Sequence, residues 1–249
     1  MTDTLFISDL HLDEEQPAIV NGLLAFLERE AGHTAALYVL GDLFESWVGD
    51  DNDTPFNRRI IDAFRRFSGN GSRALFFMHG NRDFMLGDTF AAQCGGRLLA
   101  ENTVLDLYGT RTVIAHGDGL CTDDHEYQKF RDMVRNPDWM SGARVMPLEL
   151  RIAIAAHLRS ESRLRSANKP ENIMDVNAGA VAALLRHTGA AALIHGHTHR
   201  PATHRVDLGD RIATRYVLGD WRPDAGWCLR ANAQGLQPES FALLPERSA

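Results

Sequence analysis

The 249-residue chain has only three cysteines, Cys94, Cys121 and Cys228, odd in number, far apart and outside any CxxC spacing. Neither a disulfide framework nor a zinc knuckle is indicated, and a reducing, cytosolic compartment is expected. No apolar run is long enough to span a bilayer, so any membrane contact is expected to be peripheral. MTDTLFISDLH enters an apolar run within a few residues without a basic stretch before it, so no signal peptide is expected. Internal repeats and low-complexity tracts are also missing. The net charge of -7 argues against a broad basic face and hence against general nucleic-acid binding.

What the chain does have is 44% hydrophobic residues, enough for one sizeable core, which we read as one domain with an insertion. Five times an apolar, β-prone run ends abruptly in Asp, Asn or His: LFISDLH (5–11), LYVLGD (37–42), LFFMHGNRD (75–83), TVIAHGD (112–118) and LIHGHTH (193–199). These read as metal ligands gathered at the strand ends of one sheet. The candidates are Asp9, His11, Asp42, Asn81, His116, His197 and His199. Strand side chains two apart share a face, so Asp9 with His11, and His197 with His199, are each expected to aim a pair at one point. Carboxylate, amide and imidazole without thiolate suit Mn, Fe or Zn. Seven ligands exceed one four-coordinate ion and fit two ions sharing a carboxylate. By spacing, Asp42 is the natural bridge.

Each motif has a plainer explanation. DxH is common in surface loops, Gly-Asp is ordinary turn chemistry, and GNRD and HGD can be a turn and a capped strand end. GHTH resists such an account, because two His flanking one residue directly after an apolar run are not explained by packing. All five in this order make coincidence a poor explanation.

Helical spacing of Ile19, Val20, Leu23, Leu24 and Leu27 predicts a crossover helix over Pro17 to Glu30, and Ile60, Ile61, Phe64 and Phe67 another over Phe56 to Phe67. A third runs from an Asp175 N-cap to Gly189. Alternating strands and helices specify an α/β layered core, whose ligands at strand carboxyl ends fall where open α/β folds place their sites. Ile212 to Leu218 and Trp227 to Ala231 alternate in polarity and read as late strands of a second sheet. The stretch 121–172 breaks the rhythm. It interleaves Trp139, Met146, Ile152, Ile154 and Leu158 with Arg144, Arg151, Arg159, Arg163, Arg165 and Lys169, as expected of a helical cap inserted between core segments 1–120 and 173–249. Mixed apolar and cationic faces suit an amphiphile with an anionic head, although a pair of helices that merely covers the core accounts equally for most of the apolar positions.

Two divalent ions held close together clamp a phosphoryl oxygen, activate water and stabilise entering and leaving oxygens, so phosphoester or phosphoanhydride hydrolysis follows. The order DLH, GD, GNRD, HGD, GHTH resembles the calcineurin-like metallophosphoesterases over nearly the whole chain. That resemblance implies a four-layer αββα sandwich with a dinuclear centre. It also implies a ligand partition: Asp9, His11 and His199 on one ion, Asn81, His116 and His197 on the other, Asp42 between them. The longer stretches GDLFESWVGDD (41–51), HGNRDF (79–84), HGDGLCTDD (116–124), IMDVN (173–177) and LIHGHTHRP (193–201) look like the branch of the family that acts on an acylated UDP-sugar. This implies hydrolysis of UDP-2,3-diacylglucosamine, with attack at the α-phosphorus, to UMP and 2,3-diacylglucosamine 1-phosphate. It further implies Mn2+ as the usual metal, a place in lipid A synthesis and a peripheral position on the cytoplasmic face of the inner membrane. Nothing signals an oligomer, and a monomer is the default.

Where many relatives carry a His in GNHD or GNHE that protonates the leaving group, this chain has Arg82, which does not release a proton near neutral pH. Its expected role is electrostatic, and a phosphate leaving group tolerates the missing acid. By matching position the resemblance assigns substrate contacts to Asn81, Arg82, Asp124, Ser162, Ser166, Lys169 and His197, the cap residues among them lying where SESRLRSANK departs from the family pattern. Asp124 reads equally as a helix N-cap, and Lys169 as a solvated lysine. Asp83, Asp118 and Asn177 are expected to orient ligands, His195 to be structural, and Trp47 and Phe84 to pack the loops around the site. The alternatives are a soluble nucleotide pyrophosphatase or phosphodiesterase of the same superfamily, and a scaffold that has lost catalysis.

Overall fold

The computed structural model describes residues 3–69, 71–166 and 175–243, with side chains 163–166 excluded. From the amino end, β1 (Asp3–Ile7), α1 (Pro17–Glu30), β2 (Thr34–Leu40), α2 (Pro55–Ser68) and β3 (Ala74–Met78) form two successive crossovers. The short α3 (Asp88–Gln93) and β4 (Arg97–Leu98) follow, then the hairpin β5 (Thr103–Leu107) and β6 (Thr110–Ile114). Three helices come next: α4 (His125–Arg135), α5 (Pro137–Arg144) and α6 (Leu148–Ser166). The chain returns through α7 (Ala178–Thr188) and β7 (Ala192–His195) to two hairpins, β8 (Ala202–Asp207) with β9 (Ile212–Val217), and β10 (Ala225–Asn232) with β11 (Gly235–Ala242). Local chemistry places the helix ends. Pro17 opens α1, the Thr54 side chain caps α2 by accepting from the Asn57 amide, and Gly69 closes α2 in the left-handed conformation.

The strands make two sheets, ordered β11-β10-β1-β2-β3-β4 and β5-β6-β7-β9-β8. Period-2 alternation builds the layers. Leu5, Ile7, Leu37, Val39, Leu75 and Phe77 point outward onto α1 and α2, where they meet Leu23, Phe26, Ile60 and Phe64. Their neighbours Phe6, Tyr38, Leu40 and Met78 point the other way and pack on Leu107, Ile114 and Ile194 of the second sheet. Val113 and Leu193 face Val181 and Leu185 of α7. The result is helices, sheet, sheet, helix: the four-layer αββα sandwich. Burying a side chain such as Phe64 completely is worth roughly 3 kcal/mol.

Two sequence expectations change. β9 does lie in the second sheet, but β10, which contains Trp227 to Ala231, pairs antiparallel with β1 in the first, Leu229 opposite Phe6. Alternating polarity marks a half-buried strand but not its partner. The N-cap of α7 is Asn177, whose side chain accepts from the Ala180 amide, rather than Asp175, because the chain enters helical geometry two residues later. In the 121–172 stretch, Trp139, Met140 and Ala143 of α5 pack against the main core. By contrast Val145, Leu150, Ile152 and Ile154 remain exposed, Val145 by 84%.

Candidate metal centre

All seven candidate ligands lie just past strand carboxyl ends, but of both sheets. Asp9 and His11 follow β1, Asp42 follows β2, Asn81 follows β3, His116 follows β6, and His197 and His199 follow β7. The site thus straddles the edge where the sheets face each other, not one sheet's rim. Nor does strand parity aim the side chains. Seven non-glycine residues among those described have positive φ, and five of them are Asp9, His11, Asp42, His197 and His199, with φ from 49° to 67°. Such backbone costs of order 1 kcal/mol or more per residue and persists where the surroundings impose it, typically at functional sites. Glycines make room beside them: a Cβ on Gly80 would collide with the Asp42 carboxylate, and one on Gly196 with that of Asp9.

The donor atoms fall into two groups, Asp9 with His11 and His199, and Asp42 with His116 and His197. In the first, His11 Nε2 lies 3.2 Å from His199 Nε2, and His199 Nε2 3.4 Å from Asp9 Oδ1. In the second, Asn81 Oδ1 lies 3.0 Å from His116 Nε2 and 2.8 Å from His197 Nδ1. The two oxygens of Asp42 divide between them: Oδ2 is 3.9 Å from His11 Nε2 and Oδ1 is 3.7 Å from His116 Nε2. His197 and His199 therefore sit in different groups, as in the partition that the family resemblance implies and against the strand-parity expectation that they aim at one point, because the left-handed turn at each rotates one side chain away from the other.

Donor sets of this kind suit a divalent cation. Ligands about 2.1 Å from a shared ion stand roughly 3 to 3.4 Å apart, which the closest pairs match. His116 is held with Nδ1 directed at the Leu40 carbonyl, 2.8 Å away, which presents Nε2 to the centre. Burial pushes the His197 imidazole down to about 4, so it is a neutral donor near pH 7. Burial also lowers His11, but Glu45, Asp42 and Asp9 outweigh it and push the group up to about 9. Burial raises Asp9, yet the His199 hydrogen bond and the neighbouring imidazoles hold it well below the usual carboxylate range. Negative charge is concentrated here and favours a cation.

The surrounding shell is only partly as expected. Asp83 accepts from the amides of Leu43 at 2.7 Å and Gly80 at 2.8 Å and so fixes both ligand loops; burial and nearby Asp42 push its pKa up to about 6. Asp118 accepts from Tyr127 Oη at 2.7 Å and from Arg131 Nε at 2.9 Å. Asn177 reaches Asp123 and caps α7, touching no ligand. His195 is fully buried with Nδ1 2.9 Å from the Gly196 carbonyl. Two residues escaped sequence reasoning. Glu45 sits 3.3 Å from His11 Nδ1, and Tyr127 stacks on His197 at 6.0 Å between centroids. Glu45 lies within GDLFESWVGDD but its type and spacing do not single it out there, and Tyr127 lies outside every motif.

Beside the donor groups opens a cleft of about 670 Å3, lined by Asn81, Arg82, Asp124, Ser162, His197 and apolar side chains that include Trp139, Ile154 and Leu158. Trp47 and Phe84 also line it. Arg82 Nε is buried with no hydrogen-bond partner among the described residues, which leaves a cationic donor unsatisfied where an anion would sit. Asp124 caps α4 by accepting from the Tyr127 amide, so both readings of it are compatible with its place. Ser166 is described only as the last residue of α6, and Lys169 lies outside the described residues.

Comparison with known proteins places this geometry. The calcineurin-like phosphoesterase family model matches residues 3–201. A Cellvibrio japonicus protein named UDP-2,3-diacylglucosamine hydrolase is 47% identical over 94% of this chain and 97% of its own. Proteins of the same name from Yersinia enterocolitica and Chromohalobacter salexigens are 50% and 48% identical, over 88% and 91% of this chain and 90% and 92% of theirs.

Proposed function

The chain belongs to the calcineurin-like phosphoesterase family, and from that premise we propose that it hydrolyses the diphosphate of UDP-2,3-diacylglucosamine to UMP and 2,3-diacylglucosamine 1-phosphate, in lipid A biosynthesis. The observation that carries the reading is the sharing of Asp42 between two donor groups beside a cleft whose lining combines apolar side chains with Arg82. A small nucleotide would not need apolar walls, whereas two acyl chains do.

Two divalent ions, Mn2+ in our reading, would be held by Asp9, His11 and His199 and by Asn81, His116 and His197, with Asp42 shared; when bound they supply Lewis acidity and activated water. The chain's own groups do the rest. Arg82 offers a fork of donors to the diphosphate and offsets charge on the departing phosphate without giving up a proton. Asn81, Asp124, Ser162, Ser166, Lys169 and His197 complete the substrate contacts in this reading, and water attacks the α-phosphorus. We treat 121–172 as the cap that receives the lipid. No helix of the described residues is long and apolar enough to cross a membrane, and the exposed Val145, Leu150, Ile152 and Ile154 beside Arg144 and Arg159 support peripheral contact with the inner-membrane surface.

The test is hydrolysis of UDP-2,3-diacylglucosamine beside the same UDP-sugar without acyl chains. Strong preference for the acylated compound is expected. Equal rates would favour a soluble nucleotide pyrophosphatase.

A further inference from the structure

A second, smaller recess adjoins the cleft. Its floor is one face of the β8–β9 hairpin, where Ala202 pairs with Val217 and His204 with Arg215. Asp175 forms one wall, from the turn before α7; Thr198 and Arg200 form another, from the loop after β7. Its volume is about 240 Å3, below the ~300 to 1,000 Å3 of sites that hold a whole small molecule, so it suits part of one. Thr198 and Arg200 line both spaces, which therefore meet at the loop carrying His197 and His199.

Two side chains here have donor capacity that no close hydrogen bond among the described residues uses. Arg215 is only 12% exposed, and its ion pair with Asp175 is 3.8 Å long, beyond hydrogen-bond reach. Thr198 Oγ1 is buried with no hydrogen-bond partner among the described residues. Neither residue belongs to the donor groups of the metal centre.

The charge pattern narrows the ligand. Asp175 stands between two guanidinium groups, 3.7 Å from Arg200 and 3.8 Å from Arg215. Donor, acceptor, donor is the order presented. A carboxylate at the middle position opposes a second anion, which disfavours phosphate. A neutral imide is the complement, since it offers carbonyl, N–H, carbonyl along one edge. Resting on the substrate proposed above, we propose that this recess takes the uracil ring of the nucleotide half, with Asp175 accepting from N3–H while Arg200 and Arg215 donate to the flanking carbonyl oxygens. The lipid half then lies in the large cleft and the base in the small one, with the diphosphate at their junction beside His197 and His199. Cytosine would set its amino group against a guanidinium and its bare ring nitrogen against the carboxylate, so it is disfavoured twice.

The experiment compares initial rates of the full chain on UDP-2,3-diacylglucosamine and on its CDP counterpart. Wild-type kcat/KM should favour uridine roughly ten- to hundredfold, and Asp175→Asn, whose amide also donates, should shrink that preference to within about threefold, mainly through KM. Arg215→Gln should move it the same way. A general loss of structure would lower both substrates together and leave their ratio unchanged. Equal wild-type kcat/KM on the two compounds overturns the inference but leaves the hydrolysis standing. A uridine preference unaltered in both variants overturns it also. Wild type inert on both compounds removes the substrate reading, and the uracil site with it.

Discussion

At the residue scale the centre hangs on Asp42, whose two carboxylate oxygens face different donor groups. Removing a shared ligand disturbs both sites at once, whereas a terminal histidine serves one. Replacing even an orienting neighbour of a ligand typically costs about 10- to 100-fold in metal affinity or activity, so Asp42→Ala is expected to lose more than ~100-fold in turnover together with bound metal. Metal content and rate near wild type in that variant would sink the dinuclear reading. Arg82 is a different case, because its buried Nε has no hydrogen-bond partner among the described residues. Arg82→Ala should lower kcat by roughly 10²- to 10³-fold, the scale of losing one donor to developing charge. Arg82→Lys should recover only part, since the planar fork is gone. The pH-rate profile should keep both limbs, and a limb that vanished would show a titrating acid instead. Turnover in 18O-water should place the label in UMP, as attack at the α-phosphorus requires; label in the lipid product would reverse the substrate's orientation and remove Arg82 from the leaving group.

At the scale of elements, Arg151 ties α6 to the core. Arg151 donates to the Val48 carbonyl and to the Asp51 carboxylate at 2.8 Å, both in the loop after β2 that also carries Asp42. The arginine is buried while Asp51 is largely exposed, so the tie's strength lies in the carbonyl bond and the packed stem as much as in the ion pair. Arg151→Ala is expected to lower kcat/KM on the acylated substrate while metal content stays at wild-type level. Loss of metal in this variant would mean that α6 holds up the ligand loop itself. The next residue along the helix, Ile152, is 45% exposed. Ile152→Asp should weaken sedimentation with anionic vesicles and reduce activity on long-chain substrate, with little effect on a short-chain one. An unchanged vesicle-bound fraction would remove this face from membrane contact.

At the scale of the whole molecule, the two sheets meet at one edge where carboxylate, imidazole and amide groups from five different loops are concentrated. A cation that binds the folded chain and not the unfolded one stabilises it by mass action, about 2.7 kcal/mol at a hundredfold excess over its dissociation constant. Chelation should therefore abolish activity and lower Tm, with Mn2+ restoring both. A Tm indifferent to chelation and re-addition would show that no cation holds the loops together. The buried cysteines offer an independent check on the core. Burial pushes the Cys121 and Cys228 thiols up to about 12, so reaction with a thiol reagent at pH 8 should be slow in the folded protein and fast in denaturant.

How much of this was legible beforehand follows from how far apart in the chain the deciding contacts lie. Local signals sufficed for α1 and α2, since period, proline and glycine act within a turn or two. The identities of the residues gathered at the centre were equally legible, because DLH, GNRD and GHTH each end an apolar run. Tertiary structure alone decided that β10 joins β1 across more than two hundred residues, that the centre lies between two sheets, and that left-handed backbone rather than strand parity orients His197 and His199. It alone brought Glu45 to His11, Tyr127 to His197, and Asp175 between Arg200 and Arg215. Strand pairing and loop closure are settled by burial and hydrogen bonding summed over the folded chain, and a single polypeptide read residue by residue carries the chemistry of a side chain but not the identity of its distant partner.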